Sequence, residues 1–382
     1  MMYDGARMAR KDKKKRQHYV PRLVLRNFSF DGRRVSLALV KDGTRHDDVS
    51  LRDQCYSDYF YGKAPDLEDA FSDQEGRLAA LLGDLDPVRL EQLTDENLAE
   101  VKFFVHYQRQ RTVAAAAMTE DTMDALFRKV ASMDPRVRDI DLSKYRLKLT
   151  MPQLDGLAAA AEAMPLVADL KVKFLVNDTR VGFVISDAPV ATYNQWAEHH
   201  PKFRGYGGYK GVATKGLQWF YPVSPAICVA VYDPTTYEYG RRHRRLCRAG
   251  KHDVALLNSL QALHARDCVY FRKDLLSNGE LSQLMGVRAA HPPLSVPEVR
   301  EMRATTVDDS RVREILNPRA PDARIGARFH FVRVIERETY RDYDLLMLPV
   351  RSPELFAAYQ AQRAARDRVL ELQDSPAAAE PS

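Results

Sequence analysis

No apolar run in the sequence is long enough to cross a bilayer. Stretches such as Phe183-Val184-Ile185 are only a few residues long, against the ~20 residues that a membrane helix needs. The N-terminus is charged and lacks the apolar segment of a secretory signal, so a cytoplasmic location is expected. Cysteine is scarce: Cys55, Cys228, Cys247 and Cys268 lie far apart, without the short paired spacing of a zinc knuckle or a CxxC redox site. Reduced thiols are expected. The nucleophile elbow, the HExxH zinc pair and the kinase signatures are also missing. His199-His200 and the histidines from His243 to His252 have no metal-ligand spacing. Covalent serine or cysteine catalysis and a stable metal cage are therefore disfavoured. The glycine-rich stretch Gly205-Tyr206-Gly207-Gly208-Tyr209-Lys210-Gly211 has neither P-loop nor dinucleotide spacing and reads as a mobile loop.

What is present belongs to a folded chain. The 382 residues allow one or two domains, and 45% hydrophobic with 29% charged residues is ordinary globular usage. The net charge of +6 conceals a segregation. Residues 1–16 carry seven basic side chains against two acids, and the run Arg241 to Lys251 carries six with no acid. The rest of the chain is mildly acidic. Each basic segment, 7–16 and 241–251, is suited to nucleic acid or a nucleotide, or else is a solvated tail or loop. Neither interleaves aromatics as single-strand stacking platforms do.

Along the chain, Val20, Leu23, Val24 and Phe28 recur at helical spacing after Pro21, and Val35 to Val40 alternates as a strand before the Asp42-Gly43 turn. Asp48 to Leu51 is expected to pair back. A helical stripe runs from Leu67 to Leu82, with Gly83 as its stop, and Thr94 is placed to cap a helix reaching about Met118. Residues 119–170 read as largely helical, broken near Pro135, Pro152 and Pro165. Strands are expected at Val172–Val176 and Val181–Ile185, joined as a hairpin, then at Trp219–Tyr221, Ile227–Tyr232, Cys268–Phe271, near Phe329–Val334 and near Leu345–Leu348. A helix is expected from Val254 to about His264 and another from Pro353 to about Leu372. Helices and strands come in blocks, so the class is α+β: a helical N-terminal half packed on a mostly antiparallel sheet, then a C-terminal helix. The expected organisation is a flexible arm (1–15), one domain (16–350, helix-rich over 65–170 and strand-rich over 171–350), the helix (351–372) and a disordered tail (373–382).

Few polar residues stand out. His18 titrates near neutrality and suits a general base or a ligand, while a lone histidine also fits a structural role. Glu68 and Glu75, seven residues apart, share one side of a helix. They suit a divalent cation, or an acid and base, or simply a solvated face. Gln108 falls at the centre of the stripe formed by Leu98, Val101, Phe104, Val105 and Ala115, with Arg111 at its edge. A buried polar group without a partner costs ~1–3 kcal/mol, so these two either anchor an internal network or line a polar cavity. Asp187 lies where a strand ends before Pro189, a place for a catalytic carboxylate or a turn cap.

Gln17-His18-Tyr19-Val20-Pro21, followed by Leu25-Arg26-Asn27-Phe28, resembles the opening pattern of the bacterial family termed domain of unknown function 4238. Ser186-Asp187-Ala188-Pro189-Val190, Pro222-Val223-Ser224-Pro225, Asn258 and the Gln-x-x-Arg-Thr segment from Gln108 to Thr112 are similar to further elements of that family. Val223 stands where Leu is usual, and Ala188 where Asn is common. The resemblance implies a family but no reaction. The leading expectation is a hydrolase of a phosphodiester or nucleotide, such as a nuclease in a bacterial stress or phage response. His18 would be base or ligand, Asp187 would orient it or bind a divalent cation, Arg111 would stabilise negative charge and Gln108 would position water or substrate. Gln17, Tyr19, Ser186 and Asn258 would hold substrate. The alternatives are a non-catalytic nucleic-acid or partner-binding protein, and a scaffold with a buried polar network.

Overall fold

A computed structural model describes residues 15–63, 66–137, 139–201, 203, 210–291, 297–306, 309–319, 325–335 and 349–374. In chain order the elements are β1 (Arg16–His18), α1 (Arg22–Asn27), β2 (Arg34–Leu39), β3 (Arg45–Ser50), β4 (Tyr56–Asp58), α2 (Asp66–Leu82), α3 (Pro87–Glu91), α4 (Asp95–Gln108), α5 (Val113–Met133), α6 (Pro152–Glu162) and β5 (Lys171–Asn177). There follow β6 (Ile185–Ser186), β7 (Ala191–Tyr193), α7 (Gln195–His199), β8 (Gln218–Pro222), β9 (Ile227–Tyr232), β10 (Tyr237–Tyr239), β11 (Leu246–Ala249), α8 (Lys251–His264) and β12 (Cys268–Phe271). The last are α9 (Asn278–Ala290), β13 (Glu298–Thr306), β14 (Asp309–Arg319), β15 (Val332–Val334) and α10 (Pro353–Asp374). The fold is α+β. Among the described residues no helix is long and apolar enough to cross a membrane.

The central sheet has the order β11-β5-β9-β8-β7, antiparallel except for the β11–β5 pair, and a second sheet has the order β3-β2-β12-β6. Alternation along the central strands divides the core in two. Trp219, Tyr221, Val229 and Val231 face the cluster that includes Val101, Phe104 and Val105 of α4. Phe220, Cys228, Ala230 and Tyr232 face Val254, Leu257 and Leu260 of α8. The central sheet thus lies between α4 and α8, and β8 and β9 bury both faces.

Two sequence expectations are corrected. The helix from Thr94 does not run to Met118: α4 stops at Gln108, and α5 begins after Thr112, whose hydroxyl accepts from Ala115 N at 3.0 Å. A residue that caps a new helix cannot continue the old one, so Ala115 belongs to the second helix and not to the Gln108 stripe. The hairpin of 172–176 with 181–185 does not form either; β5 pairs with β9 and β11, while β6 joins the second sheet through β12. Side chains explain the loss. Asn177 Nδ2 donates to the carbonyls of Val181 and Pro225, and Asn258 takes Val184 N and Gly182 O, so these backbone groups are not available to a ladder.

The strand-rich segment also contains α9 and the β13–β14 hairpin, which sequence reading missed. The Ser277-x-x-Glu280 capping box of α9 was there to be read. Of the late strand near 329–334 only β15 forms. Residues 1–14 of the basic arm, most of the glycine-rich stretch, the strand expected near 345–348 and most of the tail lie outside the described residues.

Candidate functional site

Gln17 and His18 end β1 and Tyr19 follows it; β1 pairs antiparallel with β4 in the register His18 to Tyr56. Strand alternation sends neighbouring side chains to opposite faces. Gln17 turns inward to 2% exposure, accepting from Tyr61 N at 2.6 Å and donating to Gly62 O at 3.1 Å. Its amide thus closes the loop after β4. β4 is flanked by Cys55 and Tyr59 at φ of 51° and 54°, a region that costs an L-residue roughly 1–2 kcal/mol. The backbone bonds Tyr19 N to Cys55 O and Tyr59 N to Lys15 O help to hold it there.

His18 turns the other way. Its ring lies 5.9 Å from Tyr56, and Nε2 is buried without a hydrogen-bond partner among the described residues. Burial pushes its pKa below the usual range, and Arg22 adds to that, against a hydrogen bond with the Arg52 backbone. The imidazole is neutral at pH 7. Arg22, Arg16 and Asp53 are the charges that act on it.

Beneath β1, the end of α4 delivers Gln108 and the turn that follows delivers Arg111. Gln108 Nε2 donates to Tyr19 O at 2.8 Å. The Arg111 guanidinium lies 4.0 Å from the Phe71 ring centroid and donates to Tyr61 Oη at 3.0 Å, Glu75 Oε1 at 2.7 Å and His18 O at 3.4 Å. Both are core residues of a polar network locking the N-terminal strand to α2 and α4. The network is not complete. Gln108 Oε1, Arg111 Nη1 and Tyr221 Oη are buried with no partner among the described residues. Burial raises the Tyr221 pKa, and the charges of Glu75 and Arg111 act on it.

Asp187, Ser186 and Asn258 form a second set. Asp187, 4% exposed, accepts from Arg266 N at 2.8 Å, Asp267 N at 2.7 Å and Cys268 N at 3.2 Å. Burial raises its pKa, and the three amides oppose that. The carboxylate therefore holds the turn leading into β12. Ser186 Oγ donates to Ala188 O at 2.9 Å and lies 3.0 Å from Gln261 Oε1, while Asn258 accepts from Val184 N at 2.9 Å and donates to Gly182 O at 3.0 Å. Gln261, one turn beyond Asn258, accepts from Ser186 N and donates to Pro189 O. It was missed, although its place on the buried face of α8 was the signal. The two sets meet: Arg266 Nη1 reaches Val113 O at 3.3 Å, and the Asp187 charge acts on the Tyr19 hydroxyl. The structure therefore gathers Gln17, Tyr19, Gln108, Arg111 and Glu75 at one corner, with Asp187 beside it, while the His18 ring faces Tyr56 and Arg22.

Glu68 and Glu75 both lie on α2, and the carboxylate of Glu75 is paired with Arg111. Among the described residues no group of three or more His, Cys, Asp or Glu is placed to hold a metal ion.

The run 241–251 is built into the fold. Glu91 of α3 accepts from Arg245 N and Leu246 N, both at 3.0 Å, and pairs with Arg244 at 3.3 Å. Arg245 pairs with Asp95 at 2.6 Å, and Arg248 with Asp178. The run thereby edges a cleft of about 960 Å³ between α4, the start of β5 and the β10–β15 pair. Among the described residues its lining carries seven basic side chains and three carboxylates. Sequence reading missed Lys102 and Lys173 in that lining.

The family described as protein of unknown function, DUF4238, matches residues 16–274, from the start of β1 to just past β12. No curated protein and no solved structure matches the chain. The matched span contains the Gln-His-Tyr strand, the Gln108–Thr112 turn, the Ser-Asp-x-Pro turn and Asn258, and it covers well over half of the sequence: the chain belongs to the DUF4238 family.

Proposed function

We propose that the protein binds a phosphate-bearing ligand, of the nucleotide or nucleic-acid class, at the basic cleft, and that the motif residues build the lock that fixes the N-terminal strand. The observation that carries this reading is the charge of the cleft: seven cations against three carboxylates among the described residues of its lining. Such an excess attracts polyanions and displaces their counterions. Gln17, Ser186, Asp187 and Asn258 use their polar atoms on the backbone, which suits a structural role. The test is affinity for polyphosphates and oligonucleotides as a function of salt. Binding that weakens steadily as salt rises supports the reading, and no binding at low salt contradicts it.

Hydrolysis of a phosphodiester or nucleotide is the second reading, favoured by the unpartnered polar atoms of Gln108, Arg111 and Tyr221 and by the neutral His18 with its unpartnered Nε2. In it His18 is the general base, Asp187 binds a divalent cation, Arg111 stabilises negative charge and Gln108 positions water. Gln17, Tyr19, Ser186 and Asn258 then hold substrate. Nuclease and nucleotidase assays of His18→Ala and Asp187→Asn decide it: activity that both substitutions abolish supports hydrolysis at this corner, and activity that survives both removes it.

A further inference from the structure

Resting on the binding reading above, we propose that the cleft takes a compact polyphosphate, the di- or triphosphate of a free nucleotide, in preference to the backbone of a nucleic-acid strand. One wall is a face of α4, where Asp95, Leu98, Ala99 and Lys102 recur at helical spacing. The floor is the start of β5. There Lys173, 4% exposed, donates Nζ to Arg241 O at 2.6 Å, and from the α4 wall Lys102, 6% exposed, reaches down to the floor and donates to Ala168 O at 2.6 Å and Leu170 O at 3.0 Å.

An ammonium has three donors, and among the described residues Lys173 has one acceptor. Burial lowers the pKa of both lysines, the mark of cations whose lost hydration is not fully replaced; an anion alongside replaces it.

The rim is partly ordered in advance. Asp95 holds Arg245, and Glu238 holds Arg333; a guanidinium has five donors, so one carboxylate leaves several for a ligand. Arg242, exposed, has no ion pair among the described residues, and its charge acts on Glu238. Charge-assisted contacts require donor and oxygen within about 2.7–2.9 Å. An extended strand lying over the surface reaches the rim arginines and not the two floor lysines, whereas a compact group entering the cleft reaches both. The lining's excess of four positive charges among the described residues also matches the roughly three to four negative charges of a di- or triphosphate.

The experiment is calorimetric titration of the full chain with inorganic tripolyphosphate, ATP and a single-stranded 20-mer. It compares the unchanged protein with Arg242→Gln, Lys173→Met and the remote control Arg180→Gln. Each cleft substitution is expected to weaken tripolyphosphate and ATP about tenfold, the control to change neither, and excess oligonucleotide to displace little ATP. Should Lys173→Met fail to fold, the exposed Arg242→Gln decides. Tight phosphate binding that ignores the cleft substitutions lies elsewhere and overturns both, whereas an oligonucleotide that binds tighter than ATP and displaces it, with the cleft substitutions weakening both, overturns this proposal and leaves the broader reading standing. No binding of any phosphate probe overturns both.

Discussion

Arg111 stacks on Phe71 while reaching Tyr61, Glu75 and the His18 carbonyl, so removing its guanidinium strands several groups at once. Arg111→Met is expected to cost about 3 kcal/mol in urea unfolding, the cost of breaking a buried pair discounted for the partial exposure of Glu75. Arg111→Lys is expected to restore little of it, because a lysine lacks the planar fork. His106 gives a prediction in pH. Its ring nitrogen sits 2.8 Å from Ala160 O and its ring stacks on Trp219; burial lowers its pKa from 6.5 to about 4. The unfolded chain takes up this proton first. The neutral His106 thus stabilises the fold fully above pH ~6.5, and that stability is lost as pH falls towards 4. Between pH 7 and pH 5, His106→Gln is expected to lose about 2 kcal/mol less than the unchanged protein. An equal loss in both, by denaturant midpoints at the two pH values, contradicts this.

At the scale of elements, side chains decide where the backbone pairs. Asn258→Ala leaves Val184 N and Gly182 O without their partner and is expected to cost about 2–3 kcal/mol, while Thr112→Ala, which removes the α5 cap, is expected to cost about 1 kcal/mol. Thermal melts of the two substitutions check the order. The same bonds explain what could be read in advance. β9, β12 and the Thr94 cap announce themselves locally through alternation and capping chemistry, and the sequence placed them correctly. The failed 181–185 strand depends on Asn258, far along the chain, so no local pattern revealed it. Gln108 and Arg111 were legible as polar residues on an apolar stripe, and the structure resolves the choice between network and cavity largely towards the network. Lys102 and Lys173 were not legible, because their carbonyl partners lie 66 to 68 residues away.

For the whole molecule, two polar features sit on different parts of one core: a lock at the N-terminal strand and a cationic cleft beside α4. On the proposed reading they have different tasks, architecture and ligand binding. The most direct measurement compares one substitution in each, Gln17→Ala and Arg242→Gln, by thermal melting and by tripolyphosphate affinity at low salt. Gln17→Ala is expected to lower the melting temperature, since Tyr61 N and Gly62 O lose their partner, and to leave the affinity of the folded protein unchanged. Arg242→Gln is expected to leave melting unchanged and weaken binding about tenfold. The opposite pattern, with affinity lost at Gln17 and untouched at Arg242, contradicts the account.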